Sequence, residues 1–262
     1  AGYRVLTATG GAKTGLLGPG ALDYLETGLD PNTAYGALAR AYGCAHSSDT
    51  AVAYSTTLAR PVANAAFMDV FASSVTVGWV RLPAAPQKDS AAGYLLQAST
   101  AADFSGTVSS SQTAALALST LTVSSPALER NTTYYFRVAG LNLAGVPHFG
   151  LAVLSTATLY SAPGLGSPPI SAASSTSVTG QWTAGSPANP AGTLYEAVAS
   201  LTGDFSGGLN SSGTYGLSAA VAALSPNTTY YLRAQAVNHN GVKSWTALGS
   251  TATLTADVPG PA

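Results

Sequence analysis

Leu224-Ser-Pro-Asn-Thr-Thr-Tyr-Tyr-Leu-Arg-Ala234 decides the fold, because the chain holds this stretch three times. It returns as Leu128-Glu-Arg-Asn-Thr-Thr-Tyr-Tyr-Phe-Arg-Val138 and, more loosely, as Leu29-Asp-Pro-Asn-Thr-Ala-Tyr-Gly-Ala-Leu-Ala39. Each copy sets a Leu (Leu29, Leu128, Leu224) before a polar turn ending in Thr. One spacer follows, then a Tyr (Tyr35, Tyr134, Tyr230) that heads an alternating segment. Such a pattern makes a sharp corner feeding a strand. Tyr35 and Tyr134 stand 99 residues apart, Tyr134 and Tyr230 96, the length of one small β-sandwich each time.

Working outward from the corners, residues 61–159 read as a complete unit. Val75, Val77 and Trp79 alternate on one face, and a turn with Pro83 and Pro86 precedes a strand headed by Gly93 and Tyr94. Asp103-Phe-Ser-Gly, a Ser/Thr-rich stretch, a strand up to Val123, the corner, a turn at Ala144-Gly145 and a last strand complete seven short strands. Residues 160–257 repeat this order: Trp182 matches Trp79, Tyr195 matches Tyr94, Asp204-Phe-Ser-Gly matches Asp103-Phe-Ser-Gly, and Asn238-His-Asn-Gly-Val242 matches Asn142-Leu-Ala-Gly-Val146. The shared register makes a tandem array rather than one large barrel.

A Trp on the second strand, a Tyr starting the third and Leu-x-Pro-x-Thr-x-Tyr before the sixth resemble fibronectin type III domains, in the version found as repeats of large secreted bacterial proteins. The resemblance covers essentially the whole chain and departs from the motif at Arg130, where the pattern has Pro. It implies an all-β chain of tandem immunoglobulin-like sandwiches, each a three-stranded sheet on a four-stranded one. In them Tyr134 and Tyr230 are corner tyrosines bonded back to nearby backbone, and Trp79 and Trp182 plug the cores.

Residues 1–60 fit only in part. Tyr3 corresponds to Tyr94 and Tyr195, yet no Trp-bearing strand precedes it, so the expectation is a sandwich lacking its first two strands. A partial sandwich exposes apolar face and an open edge. Three accounts fit: a piece of a longer chain, strands supplied by a neighbouring subunit, or a reduced sandwich covered by the second unit. Residues 258–262 read as a linker or the start of a next strand.

Composition excludes several classes. Only 21 of 262 residues are charged, 8% against about a quarter in an average globular chain. A net charge of −1 with no basic cluster speaks against nucleic acid, and no apolar run is long enough to cross a bilayer. So uncharged a surface suits one covered by identical subunits or by sugar. The lone Cys44 allows no intrachain disulfide and reads as a small buried residue near a loop. The chain opens Ala-Gly-Tyr-Arg, without the features of a signal peptide.

Candidate chemistry is sparse. His46, His148 and His239 have no ligand-like spacing. Asp103 and Asp204 recur, but one carboxylate does not make a calcium site, and each reads as a turn former with Phe tucked beneath it. There is no nucleophile elbow, HExxH, phosphate loop or glycine fingerprint. Phe149 and Trp245 occupy nearly equivalent loop positions and are the candidates for a partner or sugar contact, against a packing role. Asn131-Thr-Thr, Asn210-Ser-Ser and Asn227-Thr-Thr fit the N-glycosylation pattern, two of them being the corner itself. The expectation is a non-enzymatic, cofactor-free extracellular structural protein, a building block of a self-assembling surface filament. A stalk or adhesin segment, or an accessory carbohydrate-binding module, is the alternative.

Overall fold

The computed structural model describes residues 1–256; the expected linker or strand at 258–262 lies outside them. The chain is all β. Its first segment is one antiparallel sheet of β1 (Gly2–Thr7), β2 (Ala34–Tyr42), β3 (Ser47–Asp49) and β4 (Ala53–Thr56), with β2 in the middle.

The second segment is a sandwich. β5 (Ala63–Val70), β6 (Val75–Val80), β7 (Gly93–Ser99), β8 (Val108–Thr113), β9 (Thr120–Val123), β10 (Thr133–Leu141), β11 (Pro147–Phe149) and β12 (Leu154–Ala157) form two sheets. β5-β6-β9 faces β8-β7-β10, whose outer edge is the interrupted strand β11/β12. The third segment repeats it with β13 (Gly164–Ala173), β14 (Val178–Thr183), β15 (Leu194–Ser200), β16 (Asn210–Thr214), β17 (Ser218–Val221), β18 (Thr229–Val237) and β19 (Lys243–Ala252). Here β13-β14-β17 faces β16-β15-β18-β19. These are tandem immunoglobulin-like sandwiches, three strands against four.

Period-two alternation places the cores. On β7 and β10, Tyr94, Leu96, Ala98, Tyr134, Phe136 and Val138 point inward and meet Val75, Val77, Trp79 and Val123 from the opposite sheet. The third segment packs Tyr195, Ala197, Ala199, Tyr230, Leu232 and Ala234 against Val178, Trp182 and Val221 in the same way. Trp79 and Tyr94 lie 5.2 Å apart between ring centres, Trp182 and Tyr195 5.9 Å. Leu128 and Leu224 close the floor of each core beneath the corner.

The corners are alike in all three segments. Asp30, Glu129 and Ser225 donate their backbone N–H to the hydroxyls of Tyr35, Tyr134 and Tyr230 at 2.9, 3.0 and 3.0 Å. A second clasp comes from Thr57, Thr158 and Thr253. Each hydroxyl accepts from the N–H of Thr33, Thr132 or Thr228 and donates to the carbonyl of residue 30, 129 or 225. Corner and last strand are thereby tied together.

The first segment differs further from its neighbours. Among the described residues no strand precedes β1 and residues 21–33 form none in the place of β9 and β17, so no counterpart of the three-stranded sheet is seen there. The segment between β1 and β2 folds back instead. Leu17 bridges to Tyr3, and Lys13, ion-paired with Glu26, lies over the Tyr35 ring. Tyr3 remains 39% exposed where Tyr94 and Tyr195 are buried, and Leu29 is half-buried where Leu128 and Leu224 are buried. Cys44 is exposed, not buried: it sits at the tip of the β2–β3 turn, over which nothing packs.

Removing one corner hydroxyl tests how far each sandwich depends on it. Tyr230→Phe leaves the Ser225 N–H without its partner and costs about 1–2 kcal/mol in urea unfolding. Tyr35→Phe, at an exposed corner over a thin core, costs less than about 0.5 kcal/mol. Equal losses at the two sites would refute the dependence on a two-sheet core.

Candidate functional site

Two places carry more chemistry than a sandwich needs for its own sake. The first is the joint between consecutive segments, and it occurs twice.

Each joint begins at a corner asparagine. Asn32 and Asn131 have φ of 48° and 46°, a left-handed conformation that Asn tolerates better than most residues. That turn aims the side chain out of its own sandwich toward the next. Asn32 Oδ1 accepts from Leu143 N at 2.9 Å and Asn131 Oδ1 accepts from His239 N at 2.7 Å. The same amides donate through Nδ2, Asn32 to the carbonyls of Gln87 and Ser90 at 3.3 Å each, Asn131 to Tyr160 Oη at 2.8 Å.

The reply comes from the turn after the sixth strand of the following sandwich. Asn142 Nδ2 donates to the carbonyls of Thr56 and Thr57, both at 3.1 Å, and Asn238 Nδ2 to those of Ala157 and Thr158, both at 3.3 Å. Their Oδ1 atoms stay at home and accept from Ala144 N and Val146 N, or Asn240 N and Val242 N. Gly145 and Gly241, at φ of 76° and 75°, let the chain close this turn. All four asparagines are buried, and both amide N–H groups of Asn142 and Asn238 are satisfied. His148 Nδ1 donates to Ala59 O at 2.5 Å, and the Arg60–Asp89 pair flanks the first joint.

The second place is a stack on the outer face of each four-stranded sheet. Arg137 lies between Phe104 and Phe149, its guanidinium carbon 3.9 and 3.8 Å from the two ring centres. Arg233 lies against Phe205 at 4.5 Å and Trp245 at 5.5 Å. Phe104 and Phe205 reach these positions from left-handed turns, φ 61° and 57°. Asp103 and Asp204 hold those turns by accepting from the N–H and hydroxyl of Ser105 and Ser206. Hydrogen bonds from Ser105 keep the Asp103 carboxyl below its ordinary range, and those from Thr202 and Ser206 bring Asp204 down to about 2.

Cross-strand register makes the two stacks unequal. Arg137 stands opposite Gln97, whose Oε1 accepts from Nε and Nη2 at 2.9 and 2.7 Å. Arg233 stands opposite Val198, and its Nε is buried with no hydrogen-bond partner among the described residues. Burial lowers the Arg137 pKa from its ordinary value.

Phe149 and Trp245 therefore lie on strands β11 and β19, at matching positions opposite Ala139 and Gln235, not in loops as the spacing suggested. Phe149 is half-buried and Trp245 is 52% exposed. The arginines and the Phe of each Asp-Phe-Ser-Gly turn were not singled out from the sequence as a unit. The signal was present, since Arg137 and Arg233 both sit three residues after a corner Tyr.

The remaining candidates stay apart. Among the described residues no three His, Cys, Asp or Glu side chains gather as a metal site would require. Burial raises the Glu196 pKa, but bonds from Lys243, Ser211 and Gln235 outweigh it and hold the carboxyl below its ordinary range. The amides of Asn131 and Asn210 are both engaged as donors, Asn210 to Ala222 O and Ala223 O. Asn227 is exposed.

With the geometry in hand, the class is a tandem array of β-sandwiches joined through repeated amide hydrogen bonds. No family model matches the chain, and no curated protein does. The solved structures similar to it include a two-domain fibronectin type III segment of chicken tenascin, at 16% identity and a TM-score of 0.46 over 74% of this chain and all of that one. A segment of chicken CNTN1 spanning domains FN1–FN3 is similar at 13% identity and a TM-score of 0.35, over 97% of this chain and 91% of that one. The fold assignment itself stands on the strand order and pairing described above.

Trp245→Ala separates packing from binding. The stack predicts a loss of about 1 kcal/mol in thermal or urea stability. Unchanged stability together with lost retention on polysaccharide would make Trp245 a sugar platform instead.

Proposed function

We propose that this chain is a non-enzymatic extracellular spacer, a segment of a surface stalk or filament that holds successive β-sandwiches at a fixed angle. The observation that carries this reading is the repetition of the joint. In both connections the corner asparagine Oδ1 accepts from the equivalent backbone N–H and the asparagine after the sixth strand donates to the two equivalent carbonyls, which a flexible linker has no need to do; only the corner Nδ2 finds different partners.

The physics favours stiffness. Each joint crosses the boundary with at least three neutral hydrogen bonds from buried amides, and each such bond contributes about 1 kcal/mol net. Opening a joint leaves those groups to water and releases the next sandwich to swing. Neutral bonds also lose little in salt, whereas a joint of exposed ion pairs would be screened. Constant reach at varying ionic strength suits a spacer outside the cell.

Small-angle scattering of the whole chain tests this. The wild type gives a single narrow distance distribution, unchanged between low and high salt. Asn131→Gly keeps the left-handed turn but deletes the bonds to His239 and Tyr160, and broadens the distribution while each sandwich stays folded. A wild type already as broad as the variant would overturn the reading.

A second reading attaches to the first segment. Tyr3, Val5 and Ala39 line an open groove with Leu17, Leu22 and Tyr24 where the other segments carry a second sheet. Pairing of that face with a second copy would turn the spacer into a self-assembling filament subunit. Sedimentation of the chain then shows association with rising concentration that Tyr3→Asp abolishes; a monomer throughout would reject it.

A further inference from the structure

The third corner repeats the first two in every respect but one. Asn227 has φ 48°, as Asn32 has, and Thr253 clasps this corner as Thr57 and Thr158 clasp theirs. Ala252 and Thr253 stand where Ala157 and Thr158, or Thr56 and Thr57, offer their carbonyls to an incoming asparagine. Asn131 is 8% exposed and Ala157 1%, however, while Asn227 and Ala252 are exposed and Leu254 is 58% exposed. Among the described residues the Asn227 side chain makes no hydrogen bond.

We propose that this end of the third sandwich, formed by Asn227, the carbonyls of Ala252 and Thr253, and Leu254, is a docking face for one more sandwich bearing an Asn-x-x-Gly turn after its sixth strand. The proposal rests on the spacer reading and names its missing partner. Complementarity follows from the two joints already formed. Asn227 Oδ1 awaits the N–H of the residue after the incoming Asn, and the two carbonyls await that Asn's Nδ2. Leu254, 58% exposed, stands where Leu159 is half-buried in the formed joint, although Leu58 at the other joint is 43% exposed.

The chain's own turns do not supply this partner. Asn142 and Asn238 are buried in existing joints. In the first segment the equivalent turn is one residue shorter, with Gly43 N donating to His46 O, and Gly43 stands where the asparagine belongs. Among the described residues, then, the third segment carries an asparagine-accepting corner that is exposed, and the first segment carries no asparagine turn to fill it. Asn227 also heads the pattern Asn-Thr-Thr, so a glycan is the competing occupant, and a sugar on Nδ2 is sterically incompatible with the burial seen at Asn131.

The test replaces residues 255–262 with a copy of residues 160–256 joined directly to Leu254, as Tyr160 follows Leu159. The copy alone carries nitrogen-15, introduced by segmental ligation. Docking makes its amides tumble with the correlation time of the whole chain and slows exchange of the copy's His239 amide at least tenfold relative to the same extended chain carrying Asn227→Gly. That substitution keeps the positive φ and removes only the side chain, so the corner stays folded. Independent tumbling of the copy with Asn227 intact would overturn the proposal, as would carbohydrate on Asn227 in the protein from its natural source. If the copy swings while the two existing joints stay narrow in scattering, this inference alone fails; if the existing joints are broad too, the spacer reading falls with it.

Discussion

Each joint of this chain starts from an asparagine at positive φ at the foot of the sixth strand, answered by a second asparagine after the sixth strand of the next sandwich. The left-handed turn reverses the chain within the corner, and the amide it projects leaves the sandwich altogether. The hydroxyls of Tyr134 and Thr158 pin this corner from below and from the side. The amide inherits that rigidity. A sandwich core assembled from Trp79, Tyr94 and Phe136 therefore fixes, through four residues of corner, where the next core lies.

The low charge of the chain is consistent with this economy. Five ion pairs occur among the described residues, and most are largely exposed, where such pairs contribute little. Cohesion comes from burial inside each sandwich and from amide and hydroxyl bonds between them. Where charge does matter it is covered by aromatic rings: Arg137 between Phe104 and Phe149, and Arg233 against Phe205 and Trp245. A planar guanidinium accepts such stacking at little cost in hydration, which the ammonium of a lysine does not. Both stacks brace the sheet from outside, opposite the core.

The sandwich was legible because its signals are local. Alternation around Trp79, Tyr94 and Tyr134 and the recurrence of Leu-x-Pro-x-Thr-x-Tyr lie within short windows, and each maps to one strand or one corner. The joints were not, although every asparagine in them was visible as part of a repeat. Asn131 and Asn142 suit a turn well enough that nothing in the local sequence asks for a second role. Asn131 and His239 stand 108 positions apart, and nothing in the intervening sequence announces their contact. The stacks failed for a related reason: Phe149 reads as a loop residue because β11 and β12 are short and interrupted, and only cross-strand register brings it over Arg137. Cys44 was misplaced because a small apolar residue at a turn tip has no periodicity to mark its face.

The first segment sharpens the argument about what makes a joint. It keeps the corner, with Tyr35, Thr57 and Asn32 in place, and Asn32 engages the second sandwich as fully as Asn131 engages the third. Among the described residues no second sheet faces this segment, and Lys13, paired with Glu26, lies over the Tyr35 ring. In both joints the contacts come from the corner and the end of the last strand, which the tyrosine and threonine hydroxyls tie into one piece. One corner sequence thus does two jobs, pinning its own last strand and meeting the next sandwich, and this double demand accounts for its recurring more faithfully along the chain than the strands around it.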